Sequence, residues 1–263
     1  FPSENGRYMT TRRNWTEDEV TEALSLYLRL PFGKFHSGTP QIIRMAERIG
    51  RTPSAVAMKL SNLAALDDTM PQRGLGNLSA MDRQVWARFR QDPSIVFNAY
   101  EAQILPSPQQ TPGFSEQRQA NWIAKQCEVT ERTVVQRRGQ SFFREMILNN
   151  YRSRCALTGI DDTRLLTASH IVGWQEDDAQ RFYPENGICL NALHDRAFDR
   201  HLISFDDDYR MIMADDLPAE SKRKLAVGAS GRLQLPERFL PDPAYLEHHR
   251  QRMAERQSMP PLD

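Results

Sequence analysis

The chain has 263 residues, of which 26% are charged and 40% hydrophobic, and its formal net charge is zero. These values are typical of a globular protein with one or two domains and exclude a disordered or collagen-like chain. The sequence has no apolar run of membrane-spanning length and no signal-peptide pattern, and its three separate cysteines exclude a four-thiolate zinc site, so we expect a cytoplasmic protein without membrane contact.

Short helices are predicted at the beginning of the chain. Thr16 and Glu19 have the spacing of a capping box, which predicts a helix over 15–30. A second helix is predicted over 40–49, where apolar residues recur at helical spacing and Gly50 follows as a stop signal. This part of the chain is therefore expected to be a helical bundle.

A tight link at 50–52 joins the second predicted helix to a third that begins at Pro53. This arrangement predicts a helix-turn-helix unit, and the stretch 49–56 resembles the turn and recognition-helix entry of Myb-like modules. The resemblance implies four side chains that face DNA: Arg51, Ser54, Lys59 and Asn62. The alternative is a small bundle that contacts a protein or another domain.

A further helix is predicted over 79–100, and the proline-rich stretch 106–114 is the clearest linker. Two more helices are predicted over 115–129 and 134–151. Between 132 and 154 lie six arginines against one acid, a local balance of +5: Arg132, Arg137, Arg138, Arg144, Arg152 and Arg154. We expect this basic helix to run along DNA phosphates.

The pattern then changes to short strands. Strands are predicted over 165–171 and 187–190, followed by a helix over 192–199. The stretches 202–205 and 209–214 predict a hairpin, and the acidic triplet 206–208 between them is expected to be a solvated turn rather than a metal cage. The tail from Pro218 is polar and carries a surface helix over 243–253, in which His248 and His249 are expected to be exposed. Cys155 and Cys189 are expected to be small buried apolar residues.

Three of the six histidines lie close together, at His170, His194 and His201, with Asn186 between the first two. A strand that ends in histidine, a loop asparagine and a histidine that opens a helix can hold a general base beside one divalent metal ion. A neutral imidazole can take a proton from water near neutral pH, and the metal can stabilise charge on the phosphate and on the leaving 3′-oxygen. This set is the minimum for cutting a phosphodiester.

The ordered string Ser169-His170-Ile171, Asn186-Gly187-Ile188-Cys189-Leu190 and His194-Asp195-Arg196-Ala197-Phe198-Asp199 resembles the HNH (His-Me finger) endonucleases, in particular the restriction and defence branch, over roughly residues 137–215. The resemblance implies that His170 is the general base. Asn186 would hold the hairpin loop, orient His170 or join the metal shell, and His194 would be a metal ligand.

One position departs from the family pattern. The residue before the base is often an acid or a histidine that binds metal, and here it is Ser169. We expect another residue to complete the metal shell, with Asp199 as the first candidate and Asp195 as the second. His194 and Asp199 are five residues apart, about 140° on a regular helix, so both reach one ion only if the helix bends. Arg181 and Arg196 flank the site as phosphate contacts or as surface salt bridges.

The predicted fold class is mainly α with a small α+β part: an N-terminal helical bundle and a C-terminal ββα-metal HNH nuclease domain. The predicted boundaries are 12–105 for a helix-turn-helix-like targeting domain, 106–114 for a linker, 115–235 for the nuclease domain with the basic helix 132–154, and 236–263 for a tail.

The predicted function is a metal-dependent endonuclease that hydrolyses DNA in microbial defence or restriction. The expected cofactor is one divalent metal ion, Mg²⁺ before Mn²⁺, Ni²⁺ or Zn²⁺. The expected partners are double-stranded DNA, other defence proteins and a second copy of the chain. The alternative is a catalytically weak DNA-binding or partner-recruited effector on the same scaffold.

Overall fold

The computed structural model describes residues 13–69, 76–104 and 117–258, and for 117–132 it gives the backbone alone. The chain forms two compact units that divide between Val96 and Phe97. This division falls ahead of the predicted linker 106–114, which lies outside the described residues. Within the described ranges, no helix is both long enough and apolar enough to cross a membrane.

The first unit begins with the predicted helices. Helix α1, Glu17–Arg29, starts at the capping box: the Glu19 amide donates to Thr16 Oγ1, and the Thr16 amide donates to the Glu19 carboxylate. Helix α2, Pro40–Ile49, ends at Gly50, whose φ of 64° is in the left-handed region that glycine adopts without strain. Helix α3, Pro53–Leu63, follows at once. The three helices are the bundle that the sequence predicts.

The helical region predicted over 79–100 is divided into two helices, α4 at Ala80–Gln91 and α5 at Ser94–Ile104. The break is at Asp92, whose φ and ψ of −141° and 96° are extended, directly before Pro93. The proline ring disfavours helical backbone at the residue before it, so a new helix has to begin after the break.

The second unit contains one long helix, α6, at Gln117–Asn150, where the sequence predicts two. No glycine or proline interrupts 129–134, and the β-branched residues there cost a helix only a few tenths of a kcal/mol each. The last turns of α6 lie against the strand that starts at Gly187: a Cβ on Gly187 would be 2.7 Å from Phe143 Cζ. The absence of a side chain at Gly187 thus lets α6 pack directly under the site.

The core of the second unit is a hairpin followed by a helix. Strand β1, Leu166–His170, pairs antiparallel with β2, Gly187–Asn191, so that His170 is opposite Gly187. Helix α7, Ala192–Asp199, begins directly after β2, because the Asn191 side chain accepts hydrogen bonds from the first free amides of the helix. This is the predicted ββα element, and the predicted fold class, mainly α with small β parts, is confirmed.

A second hairpin follows, with β3 at Ile203–Phe205 and β4 at Met211–Met213, as predicted. Its acidic triplet is a turn: Asp206 Oδ1 accepts hydrogen bonds from the amides of Asp208 and Arg210. The expected polar tail contains two helices, α8 at Ala219–Ala226 and α9 at Pro243–Ser258. Helix α9 packs on β3.

Candidate active site

The end of β1 places His170 in a partly closed environment. Its ring stacks on Phe143 of α6 at 3.5 Å between centroids, and the Trp174 ring lies nearly perpendicular to it, with the two centroids 5.3 Å apart. Nε2 is 3.2 Å from the carbonyl oxygen of Arg181. A carbonyl can only accept, so Nε2 bears the hydrogen and donates it, and Nδ1 is left as the nitrogen with the lone pair.

Burial decides the charge of this ring. Removal of His170 from water, opposed by the hydrogen bond to the Arg181 carbonyl and reinforced by the positive charge of Arg181, lowers the pKa of His170 to about 4. The imidazole is therefore neutral near pH 7. A neutral ring with one nitrogen held in a hydrogen bond is able to accept a proton at the other nitrogen.

Asn186 fixes the loop that orients His170. Its side chain is fully buried, and its amide is used on both sides: Oδ1 accepts from the Val172 amide, and Nδ2 donates to the carbonyls of Val172 and Gln180. Gln180 precedes Arg181, whose carbonyl oxygen holds His170. These contacts make Asn186 an organiser of the loop.

Asp195 of α7 reaches back to β1. Ser169 Oγ donates to Asp195 Oδ1 at 2.7 Å, and Asp199 lies one helical turn further on. Burial raises the pKa of Asp195, a hydrogen bond from Ser169 opposes this, and the negative charge of Asp199 raises it further. Asp195 thus meets the hydroxyl that precedes His170 in the sequence, and Asp199 lies on the same face of α7.

His194, the predicted metal ligand, points elsewhere. Its side chain is 2% exposed, with Nε2 2.9 Å from the carbonyl oxygen of Leu225 and Nδ1 3.1 Å from Asn191 Oδ1. Both ring nitrogens face oxygens of the protein, so neither presents a lone pair to a metal ion. The structure therefore does not support His194 as a ligand; it ties the start of α7 to α8.

The part of the chain that contains these elements matches a known family model. Residues 155–206 match the family model HNH_2, which is described as HNH endonuclease. This segment is similar to HNH endonucleases. The match begins in the loop before β1 and ends directly after β3, so it contains His170, Asn186, Asp195 and Asp199. No curated protein matches the chain.

HNH endonucleases generally use a divalent metal ion. In the described part of the chain no group of three or more His, Cys, Asp and Glu side chains has metal-binding geometry. Asp195 and Asp199 are nevertheless like charges one turn apart, and an ion between them would relieve both their repulsion and the raised pKa of Asp195. Carboxylate and hydroxyl oxygens with water in the remaining positions suit Mg²⁺.

Four of the arginines predicted to bind DNA beside the HNH segment have partners within the protein. Arg144 donates to the carbonyls of Thr163 and Leu166 at 2.7 Å. The other three form ion pairs, Arg138 with Glu101, Arg152 with Glu237 and Arg154 with Asp161. Arg144 holds the start of β1 through these hydrogen bonds, so the prediction that it contacts phosphate is not supported. Arg137 is exposed, and no ion pair is seen for it within the described ranges.

In the first unit, the structure contradicts the DNA-facing positions of Arg51 and Lys59. Arg51 donates to Glu19 at 2.7 Å, and its guanidinium lies 4.2 Å from the centre of the Trp15 ring. Lys59 is 5% exposed and is paired with Asp82 at 2.6 Å. Both cations have partners inside the first unit, where they link helices of the bundle. Asn62, at 7% exposed, is buried as well, and of the four predicted side chains only Ser54 is exposed.

A histidine cluster under α7 was missed by sequence reasoning. His249 of α9 was expected to be exposed but is 2% exposed, stacked on Phe198 at 3.8 Å and 3.1 Å from His201 Nδ1. Burial, reinforced by the nearby His201, lowers the pKa of His249 to about 3. The helical spacing of Leu246, His249 and Met253 was the available signal, because residues three and four apart lie on one face.

Proposed function

We propose that the chain is a metal-dependent endonuclease that hydrolyses DNA phosphodiester bonds, with His170 as the general base. The observation that carries this proposal is that the HNH segment holds the neutral His170 at the end of β1, directly after Ser169, whose hydroxyl donates to Asp195 on the helix that follows β2. A setting in microbial defence or restriction is part of the proposal and rests on the resemblance alone.

In the proposed reaction, Nδ1 of His170 takes a proton from water while the water oxygen forms a bond to phosphorus and the bond to the 3′-oxygen breaks. The Arg181 carbonyl keeps the ring in the tautomer that leaves Nδ1 as acceptor. Asp195 and Asp199 would hold a divalent ion, with Ser169 orienting the Asp195 carboxylate. When bound, that ion supplies charge neutralisation at the phosphate and the leaving oxygen. Mg²⁺ is the first choice, with Mn²⁺, Ni²⁺ and Zn²⁺ as alternatives.

Cleavage of supercoiled plasmid tests this function. Wild-type protein is expected to nick or linearise plasmid with at least one of the four metals, on modified or unmodified DNA. His170→Ala is expected to lower the rate by about 10²–10⁴, the range for loss of a general base. Asp195→Asn is expected to raise the metal concentration needed for half-maximal rate, whereas Asp208→Asn, which removes an exposed turn carboxylate, changes neither quantity.

The plasmid assay also separates the proposal from its main alternative. If wild type and His170→Ala are equally inactive with every metal and every plasmid while both bind DNA, the chain is a DNA-binding effector and the nuclease proposal fails. One site cuts one strand, so a linear product would require a second copy of the chain or a second encounter; nicked product alone fits a single site.

For residues 12–105 we propose a targeting role that works through contact with a protein. The exposed face of α3 carries the uncharged residues Ser54 and Met58, the latter 55% exposed. Its cation Lys59 is buried against Asp82. A surface that reads DNA needs cations that reach phosphate. On this proposal, removal of the Lys59 charge leaves the affinity for DNA unchanged.

A further inference from the structure

Helix α7 and the residue that caps it carry two parallel rows of charged side chains. One row is the half-buried Asp195 and the exposed Asp199, and the other is Arg196 and the C-cap residue Arg200, with the members of each pair four positions apart. Arg196 is 65% exposed and Arg200 is exposed. The two arginines are about 6 Å apart along the helix axis, from a rise of about 1.5 Å per residue. A pair of cations therefore lies directly beside the pair of carboxylates.

Arg196 and Arg200 differ in what they contact. Arg196 Nη1 lies 3.5 Å from Asp199 Oδ2, and Asp199 is 66% exposed. No acidic partner of Arg200 is found among the described residues. An exposed pair of this length is weak, because water screens both charges and two long side chains must be held in place. Arg196 can therefore change partners at little cost.

We propose that Arg196 and Arg200 are the phosphate-binding residues of this site, and that Arg196 moves from Asp199 to the DNA backbone when a divalent ion binds. The inference rests on the proposed nuclease function and adds the surface through which the site holds its substrate. A metal ion on Asp199 takes over the neutralisation that Arg196 provides, so the guanidinium becomes available. Arginine suits this use because its planar fork binds two phosphate oxygens at once.

The partners of the other arginines distinguish them from Arg196. On the basic stretch 132–154, Arg144 holds backbone carbonyls, and Arg138, Arg152 and Arg154 have carboxylate partners outside α7, although the ion pairs of Arg152 and Arg154 are about as exposed as that of Arg196. Arg196 instead shares its partner with the proposed metal site. Only such an arrangement makes the availability of an arginine depend on the metal.

The proposal predicts a coupling between metal and DNA that is specific to one arginine. Because linkage is reciprocal, a metal that frees Arg196 for DNA must bind more tightly when DNA is present. Among the residues that the structure describes, no carboxylate is paired with Arg200, so its contribution to DNA affinity is expected to be equal with and without metal.

The test uses fluorescence anisotropy of a labelled duplex with full-length protein carrying His170→Gln, which keeps the DNA uncut and retains a planar polar side chain against Phe143. Arg196→Gln and Arg200→Gln are each expected to reduce the slope of log affinity against log salt by about 0.9, the change for one lost phosphate contact. Arg210→Gln is the matched control, since Arg210 is 63% exposed and paired with the 62% exposed Asp208. It is expected to leave the slope unchanged.

The same titrations with and without Mg²⁺ test the exchange of partners. The loss of DNA affinity caused by Arg196→Gln is expected to be larger with Mg²⁺ than without it, by up to about fivefold, which is the range for an exposed ion pair. For Arg200→Gln the two losses are expected to be equal. Calorimetry with Mn²⁺ and no DNA gives an independent readout: Arg196→Gln is expected to bind Mn²⁺ more tightly, because Asp199 then has no competing cation.

Two results overturn the inference, and they are distinguishable from failure of the nuclease function. If wild type cuts plasmid while Arg196→Gln and Arg200→Gln keep the wild-type salt slope, the phosphate contact lies elsewhere although the enzyme is a nuclease. If the slopes fall but the effect of Arg196→Gln is independent of Mg²⁺, the exchange is wrong. If wild type neither binds nor cuts DNA, both the function and this inference are wrong.

Discussion

The histidine cluster beneath α7 should make the second unit lose stability in mild acid. His249 packs between Phe198 and His201, with Nδ1 3.0 Å from Ser204 Oγ and Nε2 3.1 Å from the Phe198 carbonyl oxygen. Its folded-state pKa is lowered to about 3, against about 6.5 in an unfolded chain. As pH falls below about 6.5 the unfolded state binds a proton that the folded state does not, so stability is lost.

The size of this loss follows from the two pKa values. Where His249 is fully protonated in the unfolded state and neutral in the folded state, the free energy of unfolding falls by about 1.36 kcal/mol per pH unit. Integrated from about pH 7.5 to about pH 5, the loss of stability that His249 causes is about 2 kcal/mol. The loss begins near the unfolded pKa and continues down towards the folded pKa. Other groups titrate in the same window, among them His201, whose pKa burial also lowers. The quantity to measure is therefore a difference between two proteins.

Urea unfolding of wild type and His249→Gln at the two pH values isolates that difference. Glutamine retains an amide that can hydrogen-bond but cannot take a proton, so the variant should be less stable at about pH 7.5 yet lose about 2 kcal/mol less on acidification. Both are measured without metal. The control is His36→Gln, which removes an exposed histidine of the first unit and should show the wild-type loss. Equal losses in His249→Gln and wild type would refute the reasoning.

Two further predictions concern packing and charge. Gly187→Ala should destabilise the second unit by about 1–3 kcal/mol, since the added Cβ meets the Phe143 ring at 2.7 Å, whereas Gly173→Ala meets only a flexible carboxylate; thermal denaturation that ranks the two the other way contradicts this. Asp82→Ala should cost about 3–5 kcal/mol because it leaves the buried Lys59 ammonium unpaired, and Lys59→Met should cost less because Asp82 still caps α4. Chemical denaturation measures both, and Lys59→Met should leave the affinity for a DNA duplex unchanged; a fall in affinity would return α3 to the DNA-binding surface.

The sequence predicted the parts of this protein that depend on neighbours in the chain. The capping box at Thr16 and Glu19, the stop at Gly50 and the hairpin around 206–208 are all local, because each uses contacts between residues two to four positions apart. The order of β1, β2 and α7 was likewise predicted from the spacing of His170, Asn186 and His194 in the sequence. Two element boundaries were not predicted: the local signal of Pro93 was not used, and α6 continues through 129–134, where the sequence predicted a break.

The sequence could not assign the partners of individual side chains at the site. His194 and Asp195 are adjacent in the chain, and only the fold turns His194 towards Leu225, 31 residues away, and Asp195 towards Ser169, 26 residues away. On a helix, the side chains of neighbouring residues point about 100° apart. A shift of one position along α7 therefore changes which side chain faces β1 and which faces Leu225. The sequence therefore predicted His194 as a metal ligand, whereas in the fold both of its ring nitrogens face oxygens of the protein.

The local charge balance likewise did not predict which arginines are available to bind DNA. The excess of arginine over 132–154 is a property of the sequence, but whether an arginine reaches DNA depends on acids and carbonyls brought to it by folding, such as Glu237 for Arg152. The sequence by itself determined which residue types lie in the HNH segment and in what order. The tertiary structure decided which of them face solvent, because burial and pairing are settled by contacts between distant parts of the chain.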